Sequence, residues 1–289
     1  MSDCNGMLRT VYYSWKDGAT CSIRSVLPDD IHIDCEYVQF EALPAISMYS
    51  IAGILMVGYL IILVRTYNVR HEVAMEAAEP GLLYVIVLGS VVACTTIFII
   101  PGEPSSTTCI GPLSTGCIGF TLVFGTLLLR TYRTYRQNRA DDHQAPQLSD
   151  GLLLQLVGVM LAVDAVLLIA YRFVINPGQE VITKIVPDVG PVELLQCTGA
   201  GFSSALLSYQ IWPILFLAYK GLVAAALYYF AFETRLVANE FNEPAVTFIV
   251  AHVLCGLVII IGVVIWRIDN NALMRYILAS VAIFAVTLS

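Results

Sequence analysis

Seven long, almost uninterrupted apolar runs divide this chain, and few folds can accommodate them. They are Ala42–Val64, Leu82–Ile100, Ile110–Leu129, Leu152–Ile175, Leu206–Phe230, Ala245–Trp266 and Ala272–Leu288. A bilayer core about 30 Å thick is crossed by about 20 mostly apolar residues in helical form. No water is available there, so backbone polar groups must bond internally, which leaves helices or the strands of a closed barrel. Barrel strands alternate in polarity over about ten residues, and these runs do not alternate. Composition agrees: 58% of the 289 residues are hydrophobic and 13% charged, against about a quarter charged in a soluble domain. The expected fold is an all-α membrane protein, a seven-transmembrane helix bundle over residues 42–289 behind a short N-terminal segment, 1–41.

Basic residues orient the bundle, because loops on the cytoplasmic side carry an excess of Lys and Arg. With the N-terminus outside, the inner loops hold Arg65, Arg70, Arg130, Arg133, Arg136, Arg139 and Arg235. The outer loops and helix ends hold Arg172, Lys184, Arg267 and Arg275, so seven stand against four. The N-terminus is therefore expected outside and the C-terminus inside. The net charge of −7 is spread through loops and the N-terminal tail and says little about partners. Residues 1–41 lack the basic start and apolar core of a signal peptide. They contain Cys4, Cys21 and Cys35, whose pairing parity cannot decide. The final residues, Val286-Thr287-Leu288-Ser289, are still largely apolar, so the C-terminal end reads as truncated. The chain is expected to be the membrane part of a longer protein or a short form.

Few residues inside the runs carry chemistry. Lys220 and Asp164 fall near the midplane by residue count, at about 1.5 Å per residue. An unpaired charge there costs about 2.5–3.5 kcal/mol on insertion scales. Either the two pair, with nearby hydroxyls in the network, or the lysine snorkels and the aspartic acid is neutral; depth alone does not choose. Cys109 starts the third run and Cys197 lies in the following outer loop, where a bridge and two free thiols are both reasonable. Cys94, Cys117 and Cys255 lie within runs and read as small buried hydrophobes. Arg130 closes the third run and Glu243 precedes the sixth. Spacing alone favours unrelated roles, an inside positive charge and an anion at a helix start. The arginines of the second inner loop suit acidic lipid headgroups or a protein partner.

Several chemistries find no support. No phosphate loop, zinc-ligand spacing or Ser/His/Asp set occurs, and His32, His71, His143 and His252 are scattered. No enzyme activity, cofactor, metal or nucleic-acid partner is expected. The last run holds no lysine for a retinal Schiff base. The third ends in LLLRTYR rather than Asp-Arg-Tyr, and the seventh lacks Asn-Pro-x-x-Tyr.

A set of motifs over residues 80–289 carries a family likeness. Leu88-Gly89 lies in LLYVIVLGS, and Cys109 is followed by Gly119-Phe120, Phe124-Gly125 and Arg130. Asp164 and Pro177 lie in LLLQLVGVMLAVDAVLLIAYRFVINP. ELLQC with Cys197 precedes IWPILFLAYKGL, then Glu233-Thr234-Arg235 and Phe241-Asn242-Glu243 follow. In order and spacing these resemble the seven-helix domain of class C (family 3) G-protein-coupled receptors, and most of all the GABA type B branch. The resemblance implies a Cys109–Cys197 disulfide and an inner ionic lock between Arg130 and Glu243. It implies that Arg133, Arg136 and Arg235 face a heterotrimeric G protein, in a plasma-membrane receptor that works as a homo- or heterodimer. The family more often has lysine at the position of Arg130, and its Pro-Lys near the end of helix seven would fall beyond Ser289. The alternatives are a truncated, non-signalling relative that modulates a full-length partner, or a seven-helix transporter. A transporter would more often show paired repeats and broken midplane helices.

Overall fold

The computed structural model describes residues 8–11, 30–35, 37–70, 80–139, 149–186, 190–199, 211–235, 246–253, 256 and 272–288. Helices dominate. They are α1 (Leu43–Asn68), α2 (Pro80–Ile99), α3 (Ser106–Arg139), α4 (Asp150–Ile175), α5 (Ile211–Thr234), a helical segment α6 (246–253) and α7 (Ala272–Leu288). Among the described residues, α1 to α5 are long and apolar enough to cross a membrane, and α7 is a shorter apolar helix. The sixth run lies mostly outside the described residues.

Local chemistry sets several helix ends. Ser105 caps α3: its hydroxyl accepts from the Thr108 amide while the Thr108 hydroxyl accepts from the Ser105 amide, a capping box. Ser149 accepts from the Leu152 amide at the start of α4. At the other end of α4, Asn176 takes a left-handed conformation with φ 46°, and Arg172 donates to its side-chain oxygen at 2.6 Å. Asn tolerates that region better than most residues, so the chain turns out of the helix here. Some helices outrun their apolar segments. Helix α3 continues to Arg139 through the polar stretch TYRTYRQNR, because a helix satisfies its own backbone wherever it lies, while hydropathy marks only the apolar part.

The all-α expectation is corrected by two small antiparallel sheets. Strands β1 (Leu8–Val11) and β2 (Ile31–Asp34) pair with Leu8 opposite Asp34. Strands β3 (Pro177–Val186) and β4 (Gly190–Gly199) form a longer hairpin directly after α4, with Gln179 opposite Cys197. Both sheets lie outside the apolar helices, where strand edges can meet water.

Packing divides into zones. Val123 and Phe124 of α3 meet Ala224, Leu227 and Ala231 of α5 and Ala251 of α6. Ala45 and Ala52 of α1, Ile97 of α2 and Tyr276 of α7 form a second zone with Val38 and Ala42. The Tyr59 hydroxyl of α1 donates to the Thr287 carbonyl of α7 at 2.5 Å. Cys117, Tyr171, Ile175 and Phe216 join α3, α4 and α5. Among the described helices, α2 and α3 approach closely. A Cβ added at Gly89 would lie 2.5 Å from the Leu122 Cβ, and one at Gly119 would lie 2.8 Å from the Ala93 Cβ. Small residues that let helix backbones approach are how membrane helices gain packing, since lipid offers no hydrophobic drive between them.

Candidate functional site

Asp164 of α4 is a fully buried carboxyl, with no exposed surface. Lys220 of α5 reaches it, Nζ to Oδ1 at 2.5 Å, and the lysine side chain is 11% exposed. Thr121 of α3 completes the ring. Its hydroxyl accepts from Lys220 Nζ at 2.6 Å and donates to Asp164 Oδ2 at 2.5 Å. The third ammonium hydrogen goes to the Cys117 carbonyl, 3.3 Å away. Three donors on an ammonium thus meet three acceptors. The ammonium also lies 4.7 Å from the centre of the Tyr219 ring and 5.6 Å from that of Phe120. Both distances are within the range of cation–π attraction.

Backbone geometry on α3 marks the same place. Residues Thr121–Gly125 form a π-helical turn inside the otherwise α-helical α3, so the wider turn begins at the residue that bonds both charges. Such insertions are rare and occur often at functional sites. The cluster joins three helices by charge-assisted bonds. It holds no metal-binding set: among the described residues no group of three or more His, Cys, Asp or Glu side chains could hold an ion. What it can do is fix the mutual rotation of α3, α4 and α5.

One end of the bundle carries the disulfide. Cys109, in the first turn of α3, is bonded to Cys197 on β4, which ties the hairpin to the start of α3. Cys35 is also disulfide-bonded, while Cys94 and Cys117 are free and buried. Cys4, Cys21 and Cys255 lie outside the described residues.

The opposite end gathers arginines. Leu82 of α2, Leu153 of α4 and Leu129 of α3 pack together there. Tyr132 and Tyr135 of α3 meet Phe230 of α5 with ring centres 5.2 and 5.1 Å apart. Around this aromatic seam stand Arg130, Arg133 and Arg136, all partly buried, and Arg235. Arg133 donates to Asp150 Oδ1 at 2.8 Å, pairing with a residue that also favours the N-terminus of α4. Arg235 lies over the Phe232 ring at 3.6 Å. Glu243, the expected partner of Arg130, lies outside the described residues.

Known proteins place this architecture. The family described as "7 transmembrane sweet-taste receptor of 3 GCPR" matches residues 38–289, nearly all of the chain. The chain belongs to the class C G-protein-coupled receptors. As such it is similar to metabotropic glutamate receptor-like protein E of Dictyostelium discoideum, 23% identical over 217 residues, which cover 73% of this chain and 25% of that protein. The gamma-aminobutyric acid type B receptor subunit 2 of Caenorhabditis elegans is 25% identical over 226 residues, again 73% of this chain and 25% of the relative. G-protein coupled receptor 179 of Mus musculus is 26% identical over 188 residues, 64% of this chain and 8% of that protein. The class C chain therefore spans about a quarter of the length of the first two relatives and less of the third.

Within this receptor family member, the structure brings together Cys109 with Cys197 and Asp164 with Lys220. Arg130, Arg133, Arg136 and Arg235 stand at one end. Thr121 and Asp150 were not singled out from sequence. Single hydroxyls and helix-start acids are common, and only the fold shows which ones face a charge.

Proposed function

We propose that this chain is the seven-helix core, residues 42–289, of a GABA type B-like metabotropic receptor. It relays extracellular ligand binding to a heterotrimeric G protein at the plasma membrane. The observation that carries this reading is the match of one receptor family across residues 38–289. The N-terminus lies outside and the C-terminus inside, as the loop arginines argue. The Cys109–Cys197 bridge then faces the oxidising side, and the arginine end faces the cytoplasm. There Arg133, Arg136 and Arg235 meet the G protein, and a second class C chain is the dimer partner.

In this reading Arg130 and Glu243 form the inner ionic lock that the family resemblance implies, a contact that opens when the receptor admits its partner. The test is basal nucleotide exchange on G protein in cells expressing the chain, with surface amounts matched by an N-terminal tag. Glu243→Ala should raise the basal rate, by as much as tenfold if the contact contributes about 1.4 kcal/mol to the inactive state. Unchanged exchange at matched surface expression overturns the lock. No exchange from wild type and variant with any G protein overturns the coupling itself.

A further inference from the structure

The residues between β2 and α1 do more than lead into the first helix. The Gln39 carbonyl accepts from the Ala42 amide at 3.2 Å, so the chain turns sharply before α1 begins at Leu43. Val38 and Ala42 are each 4% exposed, buried in the zone shared by Ala45 of α1, Ile97 of α2 and Tyr276 of α7. From that footing three contacts reach the short loop that joins α2 to α3. The Gly102 amide donates to the Val38 carbonyl at 2.8 Å. The Tyr37 hydroxyl donates to Glu103 Oε1 at 3.2 Å. The Phe40 ring lies close over Gly102, where an added Cβ would sit 2.6 Å from the ring's Cε2 and 2.7 Å from its Cζ.

Two constraints therefore meet at Gly102. Its φ of 110° is a conformation that residues with a side chain rarely adopt, and the Phe40 ring occupies the space a side chain would need. Pro101 and Pro104 nearby are buried and fix their own φ angles, which stiffens the loop. The loop in turn holds the start of α3. The Glu103 carbonyl accepts from the Thr108 hydroxyl at 3.1 Å, and the same hydroxyl accepts from the Ser105 amide at 2.7 Å. The next residue, Cys109, carries the bridge to Cys197. A continuous path of contacts runs from Val38 through Gly102 and Glu103 to the first turn of α3.

We propose that residues 37–42 are a strap that fastens the start of α1 to the α2–α3 loop, so that the disulfide-side ends of α1, α2 and α3 move as one body. A displacement arriving from the β1–β2 sheet enters the strap at Tyr37 and is delivered to α3 as well as to α1. Helix α3 carries the π-helical turn and Thr121, so the strap gives that turn a mechanical connection to the segment ahead of the bundle. A plain linker would deliver the displacement to α1 alone. The coupling belongs to the fold and stands whether or not the chain activates a G protein.

Hydrogen exchange of the whole chain in lipid nanodiscs tests it, read at the amides of Gly102, Thr108 and Cys109. Phe40→Ala removes a half-exposed ring and should speed exchange about fivefold at Gly102 and about twofold at Thr108 and Cys109. Gly102→Ala adds backbone strain to the clash and should speed all three about tenfold. In the Phe40→Ala background Gly102→Ala should add less than it does alone, because the clashing ring is gone. Leu43→Ala removes an 80% exposed side chain at the start of α1 and should leave all three amides unchanged. Phe40→Ala carries the test where Gly102→Ala yields too little folded protein. Parent-like exchange at Gly102 in Phe40→Ala would overturn the strap. Faster exchange at Gly102 with Thr108 and Cys109 unchanged would overturn its delivery to α3, and full additivity of the two substitutions would overturn the ring contact as its fastening.

Discussion

Lys220 places its three ammonium hydrogens on three acceptors from two helices, and Asp164 receives two of its bonds from two different helices. The pair is therefore held in the way that allows a buried charge to persist. Removing one partner strands the other. Lys220→Met should leave Asp164 buried and unpaired, at a cost of about 3–5 kcal/mol, seen as a loss of surface-expressed, correctly folded protein. Adding Asp164→Asn should restore most of that loss. A single variant that expresses like the parent, or a double variant that is no better than the single, contradicts a paired role. Thr121→Val keeps the shape and removes only the bridging hydroxyl, so it should cost about 1–3 kcal/mol. That both charges fall well inside their helices was legible from residue counts along the apolar runs. Their meeting was not, because it depends on how each helix is rotated about its axis, and Thr121 is one of many hydroxyls in the apolar runs.

At the scale of elements, the five membrane-length helices among the described residues were legible and their contacts were not. Hydropathy marks where a helix crosses lipid, but the polar turns that carry α3 on to Arg139 have no apolar signature. The β3–β4 hairpin had one. EVITKIV and VELLQCT are rich in β-branched and alternating residues, yet they sit between two membrane runs and read there simply as loop. The α2–α3 contact gives a sharp test of element packing. Gly89→Ala puts a methyl 2.5 Å from the Leu122 Cβ, so the helices must separate, which costs about 1–3 kcal/mol as overpacking does elsewhere. Gly53→Ala on α1 meets nothing within 4 Å and should be neutral or slightly stabilising, since alanine is the better helix former. Half-lives of the two variants against heat in detergent would check both signs. Equal half-lives would mean that the close approach carries no packing energy.

For the whole molecule, the arrangement is a bundle with a tethered end and a charged end, linked through a polar knot. The tether spans 88 residues of sequence, from Cys109 at the start of α3 to Cys197 on β4. Within that loop lie the Thr121 turn, the arginine end of α3, the whole of α4 with Asp164, and the hairpin. A cross-link closing so long a loop removes much of the freedom of the unfolded chain, about 4 kcal/mol in the chain-entropy picture. Cys197→Ser should thus lower stability globally as well as free the hairpin. Proteolysis within 177–199 should speed up, and heat inactivation should speed up with it. Dithiothreitol should bring the parent toward the variant; the variant keeps the Cys35 disulfide, so any further change that the reductant makes in it belongs to that second bridge. If the hairpin alone became sensitive and the helices kept their heat resistance, the bridge would act as a local latch on β4. The knot at Asp164 and Lys220 would then hold α3, α4 and α5 together without help from the tether.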